Sequence, residues 1–139
     1  LAIRRMSMSI ESALQAVPLM GAAVRGLCSS AGLPESETYR LELCVVEAVT
    51  NCVKYAYENS SKNEVEIIVS YYQQRILFEI YDTGKTLSLR NKPTLDFDPD
   101  DPENLPEGGM GLFIIYEVMD SVTYTVSEGK KILSMTKFL

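Results

Sequence analysis

The stretch from Ser36 to about Glu58 constrains this chain most. Leu41, Val45, Ala48, Val49, Cys52 and Ala56 recur at spacings of three and four, the stripe of a helix with one face on a core. Ser36 is the expected N-cap, and Asn59-Ser60-Ser61 ends the run. Such a stripe needs a sheet or a second helix to cover it. Glu47 and Asn51 depart from the apolar pattern, stand four apart and so share a helix face, with Lys54 near that face. A solvated Glu–Lys stripe explains the trio taken alone; a polar cleft beside the core is the alternative.

The flanking segments suggest what covers the stripe. Residues 1–10 suit a short first strand. Glu11 to about Ala31 carries Leu14, Val17, Val24, Leu27 and Cys28 in a second amphipathic pattern, with Pro18 in its first turns or at a kink. Gly32-Leu33-Pro34 stops it. Val65–Tyr71 and Ile76–Tyr81 read as strands of a hairpin around Gln73-Gln74. Leu112–Met119 reads as a helix, and Val122–Val126 and Ile132–Phe138 as a last strand pair around Glu128-Gly129-Lys130. The order implies an α+β fold: a two-layer α/β sandwich with helices on one face of a mixed, mostly antiparallel sheet. With 139 residues and no clear linker, residues 1–139 are expected to form one domain.

Two short motifs favour the cleft. Tyr81-Asp82-Thr83-Gly84 sets a carboxylate at the end of an apolar strand, where it accepts a hydrogen bond; an ordinary turn after a strand has the same residue types. Gly109-Met110-Gly111-Leu112 opens a helix, where exposed N–H groups bind phosphate and glycines admit a close backbone; a flexible loop joining a helix is the plainer reading. Between them, residues 83–108 hold Pro93, Pro99, Pro102 and Pro106, with six acids from Asp96 to Glu107 and no Lys or Arg between Lys92 and Lys130. A loop that long is usually functional or disordered. Gly84-Lys85-Thr86 is not a Walker A loop, because Glu79 stands where its first glycine belongs. Gly109-x-Gly111 is not a dinucleotide fingerprint, because Ile114 takes the third glycine's place.

The formal net charge of −6 disfavours direct binding to nucleic acid or to an anionic membrane, and leaves open a basic protein partner or a nucleotide carried with a metal. Cys28, Cys44 and Cys52 form no CxxC pair, and no histidine is available to join them. Buried free thiols in a reducing compartment are expected, hence a cytoplasmic location. No run of about 20 apolar residues is present to span a bilayer, and no signal-peptide pattern opens the chain. A start at Leu-Ala instead of Met suits a piece of something longer.

Taken in order, "ExxxN" in a helix, "DTG" after a strand and "GGMGL" before a helix resemble the N box and two glycine boxes of the histidine-kinase-like ATPase superfamily (gyrase, Hsp90, histidine kinases, MutL). "EAVTNCVKYAY" and "GMGLFIIYEVMD" are very similar to its small serine-kinase branch, the bacterial anti-sigma factors, and the resemblance covers about residues 10–139. It implies a Bergerat-type sandwich with ATP between helices and sheet. Asn51 would ligate Mg2+, Asp82 would accept from the adenine amino group, and Gly84 would let backbone pass close to the base. Gly109, Met110, Gly111 and Leu112 would cradle phosphates under a lid of residues 85–108. Glu47 would be the general base, and Lys54 or Lys85 would supply charge that the acidic lid lacks. Tyr55 stands where the family often has histidine, and Lys85 where many relatives continue a glycine pattern. The implied activity is serine/threonine phosphorylation of an anti-sigma-factor antagonist together with sequestration of a sigma factor, by a chain that is often a homodimer. The absence of histidine excludes histidine autophosphorylation. A non-catalytic nucleotide-binding regulatory module, or an ATPase module of a larger signalling protein, is the alternative.

Overall fold

The computed structural model of the chain describes residues 4–85 and 109–139. Strand β1 (Arg4–Glu11) leads through a 3-10 turn (Leu14–Ala16) into α1 (Val17–Ser30). The helix therefore starts at Val17 instead of Glu11. Pro18 sets that start, since its ring is tolerated only in a first turn, where no intrahelical N–H bond is lost. Helix α2 spans Glu35–Asn51, with Pro34 and not Ser36 in the capping position and no side-chain cap. Pro34 is extended (φ −59°, ψ 151°), and Glu35 and Glu37 in the first turn complement the helix dipole in place of a capping hydroxyl.

The expected single helix to Glu58 is instead two segments. The α-helix ends at Asn51, and Cys52–Ala56 form a π turn. The wider turn is closed by Tyr57 N–H donating to Cys52 O at 2.9 Å. Glu58 (φ 50°) and Asn59 (φ 62°) then take left-handed conformations that stop the helix. The remaining elements are β2 (Glu64–Tyr71), β3 (Arg75–Asp82), α3 (Gly109–Val118), β4 (Ser121–Ser127) and β5 (Lys130–Phe138). The five strands make one sheet in the order β1-β2-β3-β5-β4. Every neighbouring pair is antiparallel, so the mostly antiparallel expectation is met in full.

The period of two along β3 decides which side is covered. Ile76, Phe78 and Ile80 are wholly buried, and the register sets Ile80 opposite Ile67 and Leu133, and Phe78 opposite Val69 and Met135. Leu41, Val45, Ala48 and Val49 of α2 close over that face in the same core cluster as Val24 of α1 and Ile115 of α3. Each fully buried side chain of this size contributes about 1.5–3 kcal/mol through apolar burial. The three cysteines are free and buried, as expected of structural thiols. Burial pushes Cys28 up to about 11 and Cys44 to about 12, which keeps both neutral and unreactive.

One buried polar atom in this layer lacks a partner. Thr38 of α2 is 4% exposed, and its hydroxyl makes no hydrogen bond among the described residues. Thr38→Val keeps the shape and removes the desolvated hydroxyl. It should raise unfolding stability by about 1 kcal/mol, measured by urea denaturation. A loss of stability would mean that the hydroxyl has a partner after all.

Candidate functional site

Asp82 ends the inward-facing series of β3, so the strand period that buries Ile76, Phe78 and Ile80 also buries a carboxylate, at 4% exposure. Its Oδ1 accepts from Gly84 N–H at 3.0 Å, and its Oδ2 accepts from the Cys52 thiol at 3.5 Å. Lys131, its ladder partner on β5, is also buried, with Nζ donating to Gly129 O at 3.1 Å. Burial raises the Asp82 carboxyl above its ordinary value, partly countered by the Gly84 N–H, the Cys52 thiol and the charge of Lys131. Burial, with Asp82 beside it, pushes the Cys52 thiol strongly upward. An ionised carboxylate offers about four acceptor positions. Among the described residues, Gly84 and Cys52 fill two of them.

The segment after Asp82 is clamped to the π turn. A Cβ on Gly84 would stand 2.5 Å from Ala56 O and 2.9 Å from Tyr57 Cδ1, so only glycine permits this approach. Lys85 N–H donates to Ala56 O at 2.7 Å. The Tyr57 hydroxyl accepts from Thr83 N–H at 2.8 Å and donates to Glu64 O at 2.9 Å. The π turn thus aims Ala56 O across the cleft, and the chain after β3 takes it.

At the other end of the same helix, Glu47 lies against the first turn of α3. A Cβ on Gly111 would overlap Glu47 Oε2 and stand 3.2 Å from Glu47 Cδ. Glycine at 111 is what lets α3 come this close, and a carboxylate there faces the positive end of that helix. Gly109, Met110 and Leu112 share the first turn of α3 with Gly111. Asn51 is the last residue of α2, half-buried, one turn on from Glu47 and next to Cys52. Lys54 and Lys85 are exposed, and Lys85 Nζ lies 3.6 Å from Glu58 Oε1. The lid expected over 85–108 lies, from residue 86 on, outside the described residues. Ten residues of one helical stretch, Glu47 to Ala56, therefore touch both glycine motifs and the buried carboxylate. Cys52, Ala56 and Tyr57 were not among the expected site residues. Cys52 and Ala56 fit the apolar stripe, and only the packed sheet shows their second contacts.

The donor set bears on a metal and a nucleotide. Among the described residues no group of three or more His, Cys, Asp or Glu could hold a metal ion. That suits Mg2+, which takes one or two protein oxygens and fills its shell with phosphate and water, and Asn51 offers one amide oxygen. The two glycine approaches and the buried acceptor fit a flat, amino-bearing base at one end and an anion at the other.

Comparison with known proteins places the chain among its relatives. The family model described as "Histidine kinase-like ATPase domain" matches residues 10–137. The serine-protein kinase RsbW of one Staphylococcus aureus strain is 35% identical over 138 residues, covering 95% of this chain and 85% of that protein. The RsbW of another strain is 33% identical over 136 residues. Among solved structures, the SiaB-SiaC complex of Pseudomonas aeruginosa matches with a TM-score of 0.65 at 12% identity, covering 96% of this chain and 88% of that one. The RsbU and RsbW domains of a Mycobacterium tuberculosis protein match at 0.63 and 13% identity, covering 97% and 32%. At these identities the two structures speak for the fold.

The buried Asp82 has a measurable consequence. A carboxyl raised in the folded state binds more protons folded than unfolded between its ordinary and its raised value. Folding stability therefore falls as pH rises through that window and stays lower above it. Asp82→Asn removes this cost. The nucleotide-free variant should melt higher than wild type at pH 8, with the gap closing as pH falls into the ordinary carboxylate range. Thermal melts across pH check this, and a variant that melts lower at pH 8 would contradict it.

Proposed function

The chain belongs to the histidine kinase-like ATPase family, and on that premise we propose that it binds Mg·ATP in this cleft and transfers the γ-phosphoryl group to a serine or threonine of a partner protein. The observation that carries the reading is the convergence of Glu47, Asp82, Gly84 and Gly111 on the single stretch from α2 through the π turn, at approaches that a Cβ would block. In this reading Asp82 accepts a hydrogen bond from the adenine amino group, and Gly84 lets backbone lie against the base. The first turn of α3, with Gly109, Met110, Gly111 and Leu112, receives the phosphates. Asn51 holds Mg2+, which when bound neutralises phosphate charge. Lys54 and Lys85 are exposed cations of this stretch, and Lys85 would have to leave Glu58 to reach the phosphates.

Glu47 is the general base. It takes the hydroxyl proton of the partner's side chain as the oxygen attacks, which requires hydrogen-bond reach to that oxygen. Since Glu47 lies against Gly111, phosphates at the start of α3 would stand beside it. The partner is an anti-sigma-factor antagonist, and the same protein sequesters a sigma factor, in a cytoplasmic setting and as a homodimer. The RsbW relatives, named serine-protein kinases, support the enzymatic part of this reading.

A second reading, a nucleotide switch without transfer, is favoured by one observation. The chain has no Lys or Arg from Pro93 to Gly129, whereas phosphoryl transfer depends on cationic stabilisation. Two measurements separate the readings: calorimetric titration of Mg·ATP, and transfer of labelled phosphate to the cognate antagonist. Glu47→Gln should keep ATP affinity within about threefold and lower transfer at least about 100-fold. Asn51→Ala should weaken Mg·ATP binding. ATP binding with no labelled antagonist in wild type would leave the switch reading, and no ATP binding would remove both.

A further inference from the structure

The thiol of Cys52 has an unexplained position. It belongs by spacing to the apolar stripe and is 3% exposed, yet its Sγ lies 3.5 Å from Asp82 Oδ2, and both groups are buried. Ordinary core packing would place an apolar side chain beside apolar neighbours. Here the only chemistry the thiol adds over a methyl group is one S–H donor, and the carboxylate it meets is the acceptor assigned to the base.

We propose that Cys52 is a positioning and specificity-determining residue for the nucleotide base, holding Asp82 as an ionised acceptor with a fixed orientation. This rests on the adenine reading given above. With Gly84 N–H on Oδ1 and the thiol on Oδ2, the carboxylate plane is pinned from both sides. Neither donor can be satisfied by a protonated oxygen aimed at it, so both favour the charged form. A charged carboxylate accepts from an amino group, as on adenine, and repels a carbonyl oxygen, as on guanine. A protonated one donates, and so tolerates the carbonyl. The thiol thereby helps decide which purine fits, at a place where burial alone would drive the carboxyl toward its neutral form. Cys52 is the first residue after α2, at the start of the π turn, and its thiol meets the end of β3 there. Among the described residues, Lys131 from β5 favours the charged form, and the Tyr57 hydroxyl meets the neighbouring Thr83; Lys62, Glu64, Glu66, Tyr81 and Lys130 line the cavity on the same side.

The test uses Mg·ATP and Mg·GTP titrations between pH 5 and 8.5 on the whole chain, with circular dichroism to establish folding. Cys52→Val removes the donor and adds one methyl group, while Cys52→Ser keeps a donor, and a stronger one, without that bulk. At pH 7 the Val variant should bind ATP about three- to tenfold more weakly and prefer ATP over GTP less. Its loss of ATP affinity on acidification should begin at higher pH, because the acceptor protonates sooner. The Ser variant should restore the affinity and bring the acid limb to or below that of wild type, an outcome that mere packing does not produce. A Val variant with wild-type affinity, purine preference and acid limb overturns the proposal, while loss of ATP binding in Asp82→Asn keeps the adenine reading standing. If the Val variant does not fold, the Ser variant decides: an acid limb moved to higher pH overturns the proposal. Unchanged ATP binding in Asp82→Asn overturns both.

Discussion

The structure depends on a carboxylate placed where burial opposes it. Asp82 continues the inward period of β3, so the strand cannot bury Phe78 and Ile80 without also delivering this group to the layer between sheet and helix. Desolvating a charge is tolerable only when hydrogen bonds and a countercharge replace water. The Gly84 N–H, the Cys52 thiol and the nearby Lys131 fill that need in part, and the carboxyl remains raised. A buried carboxylate with a perturbed titration at the end of a core strand is more typical of a functional site than of packing.

The rest of the cleft follows from the helix opposite. The carbonyls of a helix's last turn have no partner within the helix. At the end of the π turn Ala56 O accepts from Lys85 N–H, which ties the chain after Asp82 to that end of the helical stretch. Glycine at 84 is the condition for that tie, as glycine at 111 is the condition for α3 to reach Glu47. The strand end is therefore tied to the helix by backbone, and the second helix meets the same stretch through the Glu47 side chain against Gly111. That kind of placement holds catalytic groups to the tolerances phosphoryl transfer needs.

Much of this was legible in the residues. The stripe from Leu41 to Ala56 and the alternation in Val65–Tyr71 and Ile76–Tyr81 report burial directly, and burial is what a two-layer fold is made of. Glu47, Asn51, Asp82 and the glycines stood out because each breaks a pattern or permits an approach that other residues forbid. The π turn was not legible, because Cys52–Ala56 keeps helical spacing. The start of α1 was misplaced because Leu14, which lies in the 3-10 turn, fits the same apolar period, while Pro18 fixes the first helical turn at Val17. Ser36 as a cap was a local preference overridden by Pro34 and the acids after it. The contacts of Cys52 and Tyr57 are tertiary, and no spacing rule announces them.

The account stands or falls on where a nucleotide sits. The direct measurement is a crystal structure with Mg2+ and a non-hydrolysable ATP analogue. The prediction is an adenine amino group within hydrogen-bond distance of Asp82, with Cys52 still on the other carboxylate oxygen, Mg2+ on Asn51, and the terminal phosphate at the first turn of α3 beside Glu47. Nucleotide bound elsewhere, or bound with Asp82 facing away from the base, would contradict it.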